Sequence, residues 1–146
     1  MAFKLVSNLY GGNAVVAPPK DVREFATKDD AAGTVKQGWI LAYDANNEEV
    51  IKCDGTKLPA LIALEDAARN TSVRAAYVLP GMVFKCKVAS TTHIKEGRVN
   101  MRLDADGKTV LDGDNADGAV NVLRVDGTDV YVTFGNTLVT KVYDAT

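Results

Sequence analysis

The chain has 146 residues, of which 47% are hydrophobic and 25% charged, a balance that suits one globular domain, or two small β lobes sharing a core, and excludes a disordered chain. Its formal net charge of −2 and pI near 5.4 lack the basic footprint needed to grip phosphate backbones, so no nucleic acid partner is expected. No run of about 18 apolar residues is present to span a bilayer, so no membrane is expected, and the opening MAFKLVSNLYGG has neither the apolar core nor the cleavage pattern of a signal peptide, which points to synthesis and folding in a cytoplasm.

Residues 1–34 keep no sustained period of 2 or 3.6, and Gly11-Gly12, Pro18-Pro19 and Asp29-Asp30 punctuate them. They read as an extended N-terminal arm ahead of a β domain over 35–146. Phe3, Leu5, Leu9, Tyr10, Val15 and Val16 are too apolar for a free linker, so something is expected to cover them. Two arrangements do so: the arm adds a strand to a partner's exposed sheet edge, with Gly11-Gly12 as hinge, or it forms an edge strand of its own domain. The first is the leading expectation, and it predicts that deleting residues 1–12 leaves folding intact.

From Val35 onward, short runs of β-formers alternate with turn residues. This is the pattern of a mostly-β fold, a small barrel, tulip or sandwich of short antiparallel strands. Strands are predicted over 39–43, 50–53, 60–64, 73–78, 82–88, 99–103, 119–125, 130–134 and 138–143. Asn46-Asn47, Asp54-Gly55, Asp106-Gly107, Asp126-Gly127 and Gly135-Asn136 tolerate the positive φ of tight turns between them. At most one short helix is predicted, over 65–70, where good helix formers end at Asn70. Trp39, Tyr43 and Phe84 belong to the domain core or to a seam between subunits. Val35-Lys36-Gln37-Gly38 echoes Ile94-Lys95-Glu96-Gly97, compatible with two β lobes over 35–90 and 91–146 and equally with chance, because only two copies exist.

Charge is unevenly placed. Residues 100–146 hold eight acidic and four basic side chains, a net −4, which leaves +2 on the first 99. Such asymmetry can orient a protein on a partner surface, or simply be a solvated acidic face.

Groups capable of chemistry do not converge. Cys53 and Cys86, the only cysteines, have no metal-type spacing and read as buried small apolar residues. A disulfide between them requires adjacent strands and an oxidising compartment. His93, the single histidine, precedes a charged turn and reads as a surface residue. Asp104, Asp106, Asp112, Asp114 and Asp117 invite a calcium reading, but Ala116 occupies a ligand position and Leu123 stands where the bidentate Glu belongs. Asp-Gly turns explain the same letters, so no metal and no cofactor are expected. No nucleophile elbow, zinc-protease motif or P-loop is present, and an enzyme is not expected. An all-β hydrolase would have to use carboxylates among Asp104, Asp106, Asp112 and Asp114.

One stretch resembles a known family. Gly38-Trp39-Ile40-Leu41-Ala42-Tyr43-Asp44, Glu49-Val50-Ile51-Lys52-Cys53-Asp54-Gly55-Thr56, Ala60-Leu61-Ile62-Ala63-Leu64, Val73-Arg74-Ala75-Ala76-Tyr77-Val78 and Gly81-Met82-Val83-Phe84 follow one another as in the head decoration (cement) proteins of lambda-type tailed phages. In that family a strand ending in Asp is followed by a second strand, an Asp-Gly-Thr turn, a small-residue strand and a strand leading into a Gly-aromatic step. The resemblance covers roughly residues 35–88. It implies a structural capsid protein on the virion surface, a homo-oligomer with the trimer favoured, and a partner in the major capsid protein against which an N-terminal arm orders. Residues 90–146 extend beyond the family pattern. The alternative is a β-sandwich carbohydrate- or receptor-binding module displayed on a virion or cell surface, with Tyr131, Phe134, Asn136 and Tyr143 as an aromatic platform.

Overall fold

Nine strands in two antiparallel sheets, one curled into a half-barrel, make up the computed structural model, which describes residues 3–8, 22–26, 35–43, 49–55, 57–68, 70–79, 81–113 and 118–134. The four-stranded sheet runs β1 (Phe3–Asn8), β7 (Met82–Lys87), β9 (Asp129–Phe134), β8 (Val120–Asp126). The five-stranded sheet runs β2 (Val22–Ala26), β6 (Ser72–Tyr77), β5 (Leu61–Ala63), β3 (Ile40–Tyr43), β4 (Val50–Lys52). The mostly-β expectation holds.

Period-two alternation explains which faces meet. In the four-stranded sheet Phe3, Phe84, Val132 and Val122 point inward, where they join Ile40, Ala42, Ile62 and Ala76 of the five-stranded sheet in one core. Three phenylalanines from three strands centre it. The Phe3 and Phe134 rings meet edge to face at 5.1 Å, and Phe84 lies 5.3 Å from Phe134, geometry that the ring quadrupole favours. The five-stranded sheet is apolar on its second face as well, through Leu41, Val50, Leu61 and Val73, to which the Val35–Ala67 bridge adds two more buried side chains. Burial on both faces explains the unbroken apolar runs Ile40-Leu41-Ala42 and Leu61-Ile62-Ala63.

The expected turns form at Gly55, Gly107 and Gly127, with φ of +85°, +70° and +61°. Gly127 opens the two-residue loop joining β8 to β9, and since Thr128 keeps a negative φ the loop has the II′ arrangement that matches strand twist.

Three expectations are corrected. First, the described part of the supposed arm is not free: β1 pairs with β7 from Phe3↔Cys86 to Asn8↔Met82, and β2 pairs with β6. Phe3 is fully buried in the chain's own core and Leu5 packs against it, because a strand with Phe and Leu on one face gains most by closing the sandwich it is attached to. Second, the described residues hold no helix, and that includes 65–68 and 70 of the turn predicted over 65–70. One turn is too short to sustain its own nucleus, and tertiary partners claim it instead. Ala67 exchanges two backbone hydrogen bonds with Val35, Asp66 accepts from the Gln37 amide at 2.8 Å, and Glu65 accepts from the Arg74 amide at 2.9 Å. Third, 99–103 is not a regular strand. It lies along β8 through Met101↔Val120 bonds of 2.8 and 2.9 Å, but buried Asn100 takes a left-handed φ of +61°, a conformation Asn tolerates and a ladder does not.

The predicted strand at 138–143 lies outside the described residues. The turns of the sequence echo match locally, since Trp39 bonds back to Lys36 and Arg98 back to Lys95 around left-handed Gly38 and Gly97. Beyond them the first leads into β3 and the second into the irregular 98–103 run. One core cluster draws on residues from Phe3 to Phe134.

Candidate binding surface

The reactive side chains fall into local structural roles. Cys53 and Cys86 are free thiols, both buried, and burial raises both pKa values, that of Cys86 to about 11. A thiol held protonated in an apolar interior is a poor nucleophile, so the reading of both as small core residues stands. His93 is half-exposed, with Nδ1 3.1 Å from Asp112 Oδ1, and its backbone amide donates to the same oxygen at 2.9 Å. Ser90 also donates to Asp112, and these donors, Ser90 first, hold the carboxylate below its ordinary range. The carboxylate stands in the middle of this group, whereas hydroxyl activation needs the imidazole in the middle. The arrangement ties the 90–93 turn to residue 112.

Asp104 accepts from the Ala105 amide, and Asp106 accepts from the Lys108 amide across Gly107, the second being the side-chain turn that Asp-Gly sequences favour. Among the described residues no group of three or more His, Cys, Asp or Glu is arranged to hold a metal. Asp114 and Asp117 lie outside them.

The edges and outer face of the four-stranded sheet are more informative. Its β8 edge is closed: Gly97 donates to Val122, Val122 to Arg98, Met101 and Val120 bond reciprocally, and Glu96 accepts from the Val125 amide at 3.2 Å. Among the described residues the β1 edge is held only at its start, where the Phe3 amide donates to the Gly38 carbonyl at 3.0 Å. Alternation turns the Leu5 amide to the same side, and among the described residues no backbone partner meets it there.

On the outer face, strand register lines up four side chains in one row. Lys4 lies opposite Lys85, Lys85 opposite Tyr131, and Tyr131 opposite Arg124. The Arg124 guanidinium sits 4.1 Å from the Tyr131 ring centroid, a cation–π stack. A β-bulge adjoins the row at each end of the sheet, between Leu5 and Ser7 in β1 and between Val122 and Arg124 in β8, and bulges re-aim neighbouring side chains. In the next row Lys87 pairs with Asp129 at 3.4 Å, and Asp126 lies opposite Asp129.

The residues singled out from sequence scatter over this framework. Phe3 and Phe84 are core, Leu5 is half-buried against it, and Leu9, Tyr10, Val15 and Val16 lie outside the described residues. Trp39 is half-buried with the Lys52 ammonium 5.7 Å from its ring centroid, and Tyr43 packs on the second cluster with its hydroxyl 3.5 Å from that of Tyr77. Phe134 is 1% exposed, which removes it from any aromatic platform, and the Tyr131 ring is taken by Arg124. Asn136 and Tyr143 lie outside the described residues. Sequence reasoning missed the Lys4–Lys85–Tyr131–Arg124 row because its members are far apart in the chain and only pairing register joins them. No family model matches the chain, and no curated protein matches it.

Proposed function

We propose that this chain is a structural, non-enzymatic protein that decorates and cements the outer surface of a tailed-phage head by bridging major capsid protein subunits. The observation that carries the reading is the β1 edge, anchored through Phe3 in the chain's own core yet open beyond its first amide among the described residues. An open edge is a template for a strand from another chain. Because β1 is already ordered, pairing costs less conformational entropy than folding a free arm would. The direction of the earlier expectation is thereby reversed: the shell contributes the added strand, and this chain supplies the edge. Many copies on a closed surface then act together, so modest free energies per copy stabilise the whole. The order β3, β4, Asp54-Gly55 turn, β5, β6, Gly81 turn, β7 is the order the decoration-protein resemblance implies, and it supports the same reading. A homotrimer on the virion surface belongs to this proposal.

The test is co-sedimentation of the purified chain with expanded, empty shells, together with hydrogen exchange of the bound form. Binding with slowed exchange at residues 4–7 is expected. Failure to co-sediment rejects the decoration reading, while binding with protection confined to other strands rejects the edge mechanism.

A further inference from the structure

We infer that the outer face of the four-stranded sheet is a docking site for an extended acidic segment of a partner protein, one carrying carboxylates on alternate residues and crossing the sheet at right angles to its strands. The proposal stands apart from edge pairing, since it uses the face of the sheet and not its rim.

Lys4 and Lys85 are directly opposed on neighbouring antiparallel strands, where like charges destabilise the pair. On the same face Lys87 has a counter-ion in Asp129, so the sheet places a carboxylate beside a lysine elsewhere. Among the described residues none lies within ion-pair distance of Lys4 or Lys85. Arg124 prolongs the row, fixed over Tyr131 by the bulge that precedes it. Three cations therefore share one line across all four strands of a chain whose net charge is −2.

Geometry identifies the occupant. With strands about 4.8 Å apart, Lys4 and Arg124 are rooted roughly 14 Å from each other, the Tyr131 stack draws the Arg124 guanidinium inward from there, and carboxylates on alternate residues of an extended segment recur about every 6.8 Å, within reach of such long side chains. Lys4, Lys85 and Arg124 can each meet one of them. Single-stranded nucleic acid fits less well. Three phosphate contacts support only a shallow salt dependence, a slope of roughly −2, and its continuous charge would run against Asp126 and Asp129 in the adjoining row.

The probe is a fluorescent synthetic peptide of alternating Glu and Thr, titrated against the full chain by anisotropy. A block-ordered isomer of the same composition and oligothymidylate serve as comparators. Expected are binding that weakens with salt, tighter binding than either comparator, and a loss of roughly tenfold or more in Lys4→Glu/Arg124→Glu. Both of those residues are exposed, so folding should persist, and Lys85→Arg should retain affinity. No binding of the alternating peptide, equal binding of the block isomer, unchanged affinity in the charge-reversed protein, or tighter binding of oligothymidylate would each overturn the proposal.

Discussion

The two sheets handle water differently. The five-stranded sheet buries apolar side chains on both faces, Ile40 and Ile62 toward one cluster and Leu41 and Leu61 toward the other. The four-stranded sheet keeps its apolar residues on one face and sets Lys4, Lys85, Tyr131 and Arg124 on the other. A sheet apolar on both sides exposes little beyond its rims, whereas the four-stranded one presents a charged face and, among the described residues, a β1 edge open beyond its first amide. Both sheets thus contribute to the shared core, while the Lys4–Lys85–Tyr131–Arg124 row belongs to the outer face of the four-stranded one.

The sharpest way to break that division is to empty the shared core. Phe134→Ala removes the ring that meets both Phe3 and Phe84 and should cost about 3–5 kcal/mol in urea unfolding. Gly55→Ala should follow at about 3 kcal/mol. An added Cβ there overlaps the Leu103 carbonyl oxygen, and the φ of +85° is strained for any side chain. By contrast Arg124→Ala touches only the charged face and should cost about 0.5–1 kcal/mol, the worth of an exposed cation–π stack. A loss above about 2 kcal/mol, the scale of core deletions, would mean that the face is structural after all.

The smallest expected effect is local and acidic. Asp112 has a folded pKa below its ordinary value of 3.8, through Ser90 and then the His93 amide. A depressed carboxylate stabilises fully above the unfolded value, and that contribution disappears as pH falls through the folded one. Amide exchange across residues 90–98, taken relative to the intrinsic rate at each pH, should therefore be steady around neutral pH and should accelerate below about pH 4. Asp112→Asn should remove the acceleration. Asp66, lowered chiefly by the Gln37 amide, shifts in the same direction at its own turn and leaves the 90–98 readout separate.

Much of the fold was legible because its strands carry local signals. Apolar runs bounded by Asp54-Gly55 and Asp126-Gly127 located β3 to β9 to within a residue or two. The failures came where a local signal met a distant partner. Phe3-Lys4-Leu5 already alternates, but three residues of alternation cannot tell an edge strand of this sandwich from one that pairs elsewhere. Residues 99–103 carry β-formers, yet their backbone is shaped by β8 on one side and by the left-handed Asn100 within. The charged row was invisible for the same reason: Lys4 and Lys85 become neighbours only through the β1–β7 register.

The most direct test is to delete residues 1–8 and measure unfolding by urea. Since the deletion removes both β1 and the fully buried Phe3, a loss of at least about 3 kcal/mol is predicted. A truncated chain as stable as the full one would contradict the account, because the N-terminal strand would then be no part of the molecule's own core.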